Sequence, residues 1–137
     1  GKGTGDRDRI GEVLYNRGMV AAVWTTEAIR NAMKIHGTKE VRGKHVRDGF
    51  ESLDIDEQRL TELGLPNFTY PVKITCDNHE GPAKVAIQQW DAHKKEWKLI
   101  TGFMDSMRDV VDPLIAADSA AYAKENGITP RTCVSAL

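Results

Sequence analysis

The densest group of chemically capable side chains is Cys76-Asp77-Asn78-His79-Glu80-Gly81. Asp77, His79 and Glu80 are all metal-ligand types. Consecutive residues in a turn diverge, however, and no second His-containing motif pairs with them. The segment therefore reads as a structural turn, and no metal or other cofactor is expected. The four histidines, His36, His45, His79 and His93, share no HExxH or HxH spacing. Each falls at an element end or a turn, where a solvated or capping role is expected. No GxSxG elbow, Walker loop or Cys–His nucleophile arrangement occurs. The opening Gly1-Lys2-Gly3-Thr4-Gly5 is only superficially like a phosphate loop, since it lacks the GK[ST] ending and a preceding strand. An enzyme reading thus reduces to a metal-assisted hydrolase built on His79 and Glu80, with ligands the sequence does not supply. A chain without catalysis is the expectation.

A second candidate is Leu14-Tyr15-Asn16-Arg17-Gly18, at the start of the longest helical pattern. There a ring and an amide can meet a ligand beside unsatisfied backbone N–H groups. Equally, Tyr15 can pack on the core while Asn16 and Arg17 face solvent. Trp24 fits the apolar stripe of the same helix. Trp90 and Trp97 flank a hairpin and can pack across it, and core packing is expected for all three. The two cysteines, Cys76 and Cys133, lie 57 positions apart and form no CxxC pair. They are either unrelated thiols or a disulfide holding the C-terminal tail.

These residues need elements to hold them. Residues 10–36 repeat apolar side chains at Val13, Val20, Val23, Trp24, Ala28, Ile29 and Met33, which predicts a long helix stopped at His36-Gly37. Gly18 inside it points to a close backbone approach. Residues 45–53 and 54–63 predict two short helices, the second capped by Asp54 or Asp56 and ended by Gly64-Leu65-Pro66. After Pro66 the texture turns to β-branched and aromatic residues. Residues 68–76, 84–90 and 97–100 predict three strands of an antiparallel meander, with turns at 77–82 and 91–95. Asp112-Pro113 predicts the start of a last helix, with Leu114, Ile115, Ala117, Ala121 and Tyr122 on one stripe and Asn126-Gly127 at its end. Residues 1–9 read as a flexible N-terminal stretch, and residues 10–137 as one body.

Composition bounds the rest. The chain has 137 residues, 40% apolar and 28% charged, which suits one ordinary domain rather than a disordered tail. Nineteen Lys and Arg against twenty Asp and Glu give a net charge of −1, which argues against a global grip on nucleic acid. No run reaches the roughly 18 apolar residues of a membrane-spanning helix. No apolar signal segment follows the charged start, so the chain is cytosolic, has lost a signal, or begins inside a longer protein.

The order of several segments is familiar. Tyr15-Asn16-Arg17-Gly18-Met19-Val20, Glu27-Ala28-Ile29-Arg30 and Gly43-Lys44-His45-Val46-Arg47-Asp48-Gly49-Phe50-Glu51 come first. Asn78-His79-Glu80-Gly81, Val85-Ala86-Ile87-Gln88-Gln89-Trp90-Asp91 and Tyr122-Ala123-Lys124-Glu125-Asn126-Gly127-Ile128 follow. Together they resemble the C-terminal part of the branched-chain amino acid (Leu/Ile/Val-type) solute-binding proteins of ABC transporters, which have the type I periplasmic binding fold. The resemblance implies an α/β fragment of a two-lobed protein, with helices plus a small, mostly antiparallel sheet. Its final helix would pack back on a lobe.

The implied function is periplasmic capture of a branched-chain amino acid or related small carboxylate, including aromatic acids, by hinge closure for delivery to a permease. Implied partners are that solute, the permease and the remaining N-terminal part of the parent chain, with no nucleic acid and a dimer if the piece is isolated. By the same resemblance Tyr15, Asn16, Arg17 and Val13 would touch the ligand, and Cys76 would pair with Cys133 in an oxidising compartment. A ligand sensor or regulator of the same fold without transport is the alternative.

Overall fold

A computed structural model describes residues 4–81 and 84–133. Gly1, Lys2 and Gly3 of the expected flexible stretch, Pro82 of the turn cluster and residues 134–137 of the tail lie outside the described residues. The chain divides into two compact units. Among the described residues, unit 1 comprises 4–81 and unit 2 comprises 84–133.

Unit 1 is built on helix α1 (Val13–His36). Its end is set locally: Gly37 adopts the left-handed conformation at φ 59°, and Thr38 N–H closes onto the Met33 carbonyl at 3.2 Å. Helix α2 (Gly43–Phe50) packs on α1. Strand β1 (Asp54–Ile55) follows, then helix α3 (Glu57–Glu62) and strand β2 (Val72–Lys73). Asp56 caps α3, accepting from Arg59 N–H at 2.7 Å. Gly64, at φ 74°, ends it, with Leu65 N–H donating to the Leu60 carbonyl. β1 and β2 pair antiparallel, Ile55 opposite Val72, and Ile74 N–H extends the ladder to the Leu53 carbonyl.

The core is small and lies here. Ala28, Leu53, Ile55, Leu60, Val72 and Ile74 are buried together, with Trp24 and Phe50 packed against them. Trp24 therefore meets the expectation of core packing. Its indole Nε1 is buried with no hydrogen-bond partner among the described residues. The close approach of α1 and α2 depends on Gly49. A Cβ there would lie 2.0 Å from the Ala28 carbonyl oxygen. Gly18, read from the sequence as the close-approach glycine, has open space around it.

Unit 2 holds strands β3 (Lys84–Val85), β4 (Gln88–Asp91), β5 (Glu96–Leu99) and β6 (Met104–Asp105), followed by helix α4 (Arg108–Glu125). β4 and β5 form a hairpin in which Asp91 Oδ1 accepts from both His93 and Lys94 N–H. β3 pairs with β6. Among its described residues unit 2 has no buried side chain.

Other expectations change. The three-strand meander is replaced by three separate two-stranded antiparallel ladders, because β1 takes β2 and β6 takes β3. The first of the predicted strands shrinks to Val72–Lys73. α4 starts at Arg108, so Pro113 lies inside the helix, where it costs the bond its N–H would make to Asp109. The expected N-terminal stretch includes a short 3-10 turn at Arg7–Arg9, with Asp6 accepting from Asp8 N–H. The mixed helix-and-strand class holds. The expected antiparallel pairing holds as well, in ladders two to four residues long, and these ladders do not by themselves establish a two-lobed periplasmic architecture. Nor does α4 bury a stripe: Leu114, Ile115 and Tyr122 are exposed.

Candidate functional site

The site with the most organised polar chemistry lies within unit 1, in a cavity of about 510 Å³. α1 contributes Glu27, Arg30 and Lys34, β1 contributes Asp54, and α3 contributes Arg59 and Glu62. Glu27 is its centre, a carboxylate only 8% exposed. Arg59 grips it with both edges of its fork, Nε at 2.8 Å and Nη2 at 3.2 Å. Arg30, one helical turn further along α1, donates to the same carboxylate. The third arm of Arg59 donates to Glu62 at 2.9 Å. A bidentate guanidinium fits a carboxylate in one plane and so fixes α3 against α1.

The electrostatics follow from this geometry. The hydrogen bonds from Arg59 hold the Glu27 carboxyl below its usual range, against the opposing effect of burial, with Arg30 adding to the shift. Glu62 is lowered by Arg59 and then by Gln58. The Arg59 guanidinium is raised by Glu27 and then Glu62. Such a carboxylate is charged and occupied at neutral pH. It positions helices and cannot serve as a general base.

A second cluster joins the end of α1 to α2. The His36 and His45 rings stack with centroids 4.3 Å apart and planes 27° apart. His36 Nε2 donates to Asp48 at 3.0 Å, and Arg47 holds the other oxygen of that carboxylate at 2.7 Å. His45 Nδ1 accepts from Arg42 N–H at 3.3 Å. The capping role expected for these histidines is met at His45.

The residues singled out in the sequence fall elsewhere. Val13, Tyr15, Asn16 and Arg17 occupy the first turn and a half of α1, and none lines the cavity. Val13 is 81% exposed, and Asn16 spends its amide on the Gly11 carbonyl at 3.1 Å. Tyr15 does not pack in the core. The 76–81 segment is a turn, as read. Asn78 Oδ1 accepts from Glu80 and Gly81 N–H, and Thr75 Oγ1 accepts from Asn78 N–H. His79 Nε2 lies 3.4 Å from Glu51. Among the described residues no three His, Cys, Asp or Glu side chains converge as metal ligands. Trp90 and Trp97 do pack across the hairpin, at 5.4 Å and 60°, but on an exposed face rather than in a core. Neither cysteine is a free thiol.

The Glu27–Arg59 pair was not foreseen. Its partners are 32 positions apart. The available signal was weak: two complementary charges one turn apart in each helix, Glu27 with Arg30 and Arg59 with Glu62.

No family model matches this chain, and no curated protein matches it. It is similar to the crystal structure of an ABC transporter permease from the Pseudomonas fluorescens group, with a TM-score of 0.81 and 38% identity over 94% of this chain. The chain spans 31% of the length of that protein. The match overturns the expected identity. The similar protein is a permease, so the Leu/Ile/Val-type solute-binding assignment and its lobe-closure mechanism are withdrawn. The expected partner roles, with this chain handing a solute to a separate permease, are withdrawn with it. Among the described residues no helix is long and apolar enough to cross a membrane.

Proposed function

We propose that this chain is an extramembrane portion of an ABC transporter protein of the permease type, without catalytic chemistry of its own. The observation that carries the reading is the 38% identity to the permease across nearly the whole chain. Two features of the molecule support it. The described helices are too short or too polar to span a bilayer. The organised polar site is a structural clamp, with its carboxylate saturated by guanidinium donors.

We also propose that Cys76 pairs with Cys133 and that the chain faces an oxidising compartment such as the periplasm. The absence of a free thiol supports this, because such bonds persist outside the reducing cytosol.

The test is fractionation of cells carrying the native gene, followed with an antibody raised against this chain. The protein should stay with the membranes through high-salt and carbonate washes and co-purify with an ABC-type ATPase. Quantitative recovery in osmotic-shock fluid would overturn the permease reading.

A further inference from the structure

Helix α2 holds unit 1 together through Gly49, seated on the α1 backbone, and Phe50, packed against the core. Its first turn is secured differently. His45 is the third residue of the helix, and its ring nitrogen accepts the N–H of Arg42, the residue just before the helix. That is the position where Glu or Gln completes a capping box. The bond dictates a tautomer. Nδ1 must carry a lone pair, so the neutral ring bears its proton on Nε2. His36 is held to the same protonated nitrogen by a different partner. Its Nε2 faces a carboxylate, which only accepts, so Nε2 is protonated.

We propose that the stacked His36–His45 pair is a pH-sensitive latch on the first turn of α2: a proton on His45 Nδ1 removes the acceptor of Arg42 N–H and places a cationic ring face to face with the His36 ring. The surroundings reinforce this. His36 faces His45 from α1, Arg42 from the preceding loop, and Lys44 from the helix itself. The nearby carboxylate of Asp48 is already engaged by Arg47 and His36. Burial and the His36 charge push the His45 ring below its ordinary range, with Lys44 and Arg42 adding to the shift and Asp48 opposing it. The sign follows. A ring that binds its proton less readily when folded stabilises the fold above its unfolded value near 6.5, and that contribution is lost as pH falls through the folded value. The latch is closed at neutral pH and opens as pH falls through the folded value of His45.

The test uses the ¹⁵N-labelled full chain, disulfide intact, between pH 8 and pH 5. Long-range imidazole spectra should show His45 as the Nε2–H tautomer and place its titration below the ordinary histidine value. Amide protection factors at residues 44–46 should fall about fivefold as the ring titrates, the loss typical of a missing helix cap, while the β1–β2 amides hold. In His45→Gln, which accepts but does not titrate, protection at those amides should be independent of pH. A proton on Nδ1 of neutral His45, titration at or above the ordinary value, or the same pH dependence in His45→Gln would each overturn the latch.

Discussion

Replacing Gly49 with alanine adds one methyl group where the structure has no room for it. The new Cβ would sit 2.0 Å from the Ala28 carbonyl oxygen and 3.0 Å from both the Ala28 carbonyl carbon and the Ala32 amide nitrogen. Ordinary contact begins near 3.4 Å, so α1 and α2 must move apart by about 1.4 Å. All three obstructing atoms are backbone, and no flexible side chain can swing away. Separation also lifts Phe50 from the core it caps. Overpacking costs up to ~3 kcal/mol, more when backbone must shift, while alanine's helix propensity returns ~1 kcal/mol. A net loss of about 2 kcal/mol is expected, or roughly 8 °C in melting temperature for a chain of this size. Gly18→Ala is the matched control. It makes the same chemical change within α1, with no atom within 4 Å, and should gain ~0.5–1 kcal/mol. Urea unfolding followed by circular dichroism compares the three proteins directly. If Gly49→Ala is as stable as the parent, or if both variants shift the same way, the close α1–α2 approach is wrong.

Glu27→Gln should cost about 1–3 kcal/mol at neutral pH, by weakening the charge-assisted bonds of a buried carboxylate. Because the folded carboxyl is held below its ordinary 4.5, its contribution is complete above that value and is lost as pH falls through the folded one. The stability gap to the parent, measured by urea unfolding at several pH values, should therefore narrow below pH 4.5. A gap that stays constant into acid would refute the clamp. The proposed Cys76–Cys133 bond predicts no reactive thiol in denaturant without reductant. Reduction should cost about 4 kcal/mol for partners 57 positions apart, and two reactive thiols in the unreduced protein would end that pairing.

Much of unit 1 was legible in the sequence because its signals are local. The α1 stripe, the Gly37 and Gly64 stops and the Asp56 cap each depend on neighbours within a turn or two. The β4–β5 hairpin was legible for the same reason, its Asp91 turn being self-contained. β6 was missed because Met104 and Asp105 are exposed and carry no alternation, so only Lys84 and Val85 opposite them define a strand. The start of α4 was missed because Pro113 is a strong local start signal. The helix nevertheless runs through it, with Arg108 and Asp112 paired across one turn at 3.1 Å.

What the sequence by itself determined is where α1 and α3 stop, that the 76–81 segment turns, and that a mixed α and β chain results. Those properties arise from backbone preferences and from bonds closing within a few residues. Only the tertiary structure decided which glycine lets two helices touch, which strands pair, and which carboxylate becomes the buried centre of a site. Gly18 and Gly49 are chemically identical and both helical, and they differ only in what the fold brings against them. Glu27 and Arg59 are ordinary surface-type residues until the fold brings the Arg59 guanidinium onto Glu27 and buries that carboxylate. Long-range pairing is set by packing and desolvation, which depend on the whole chain at once, and no window of neighbouring residues contains that information.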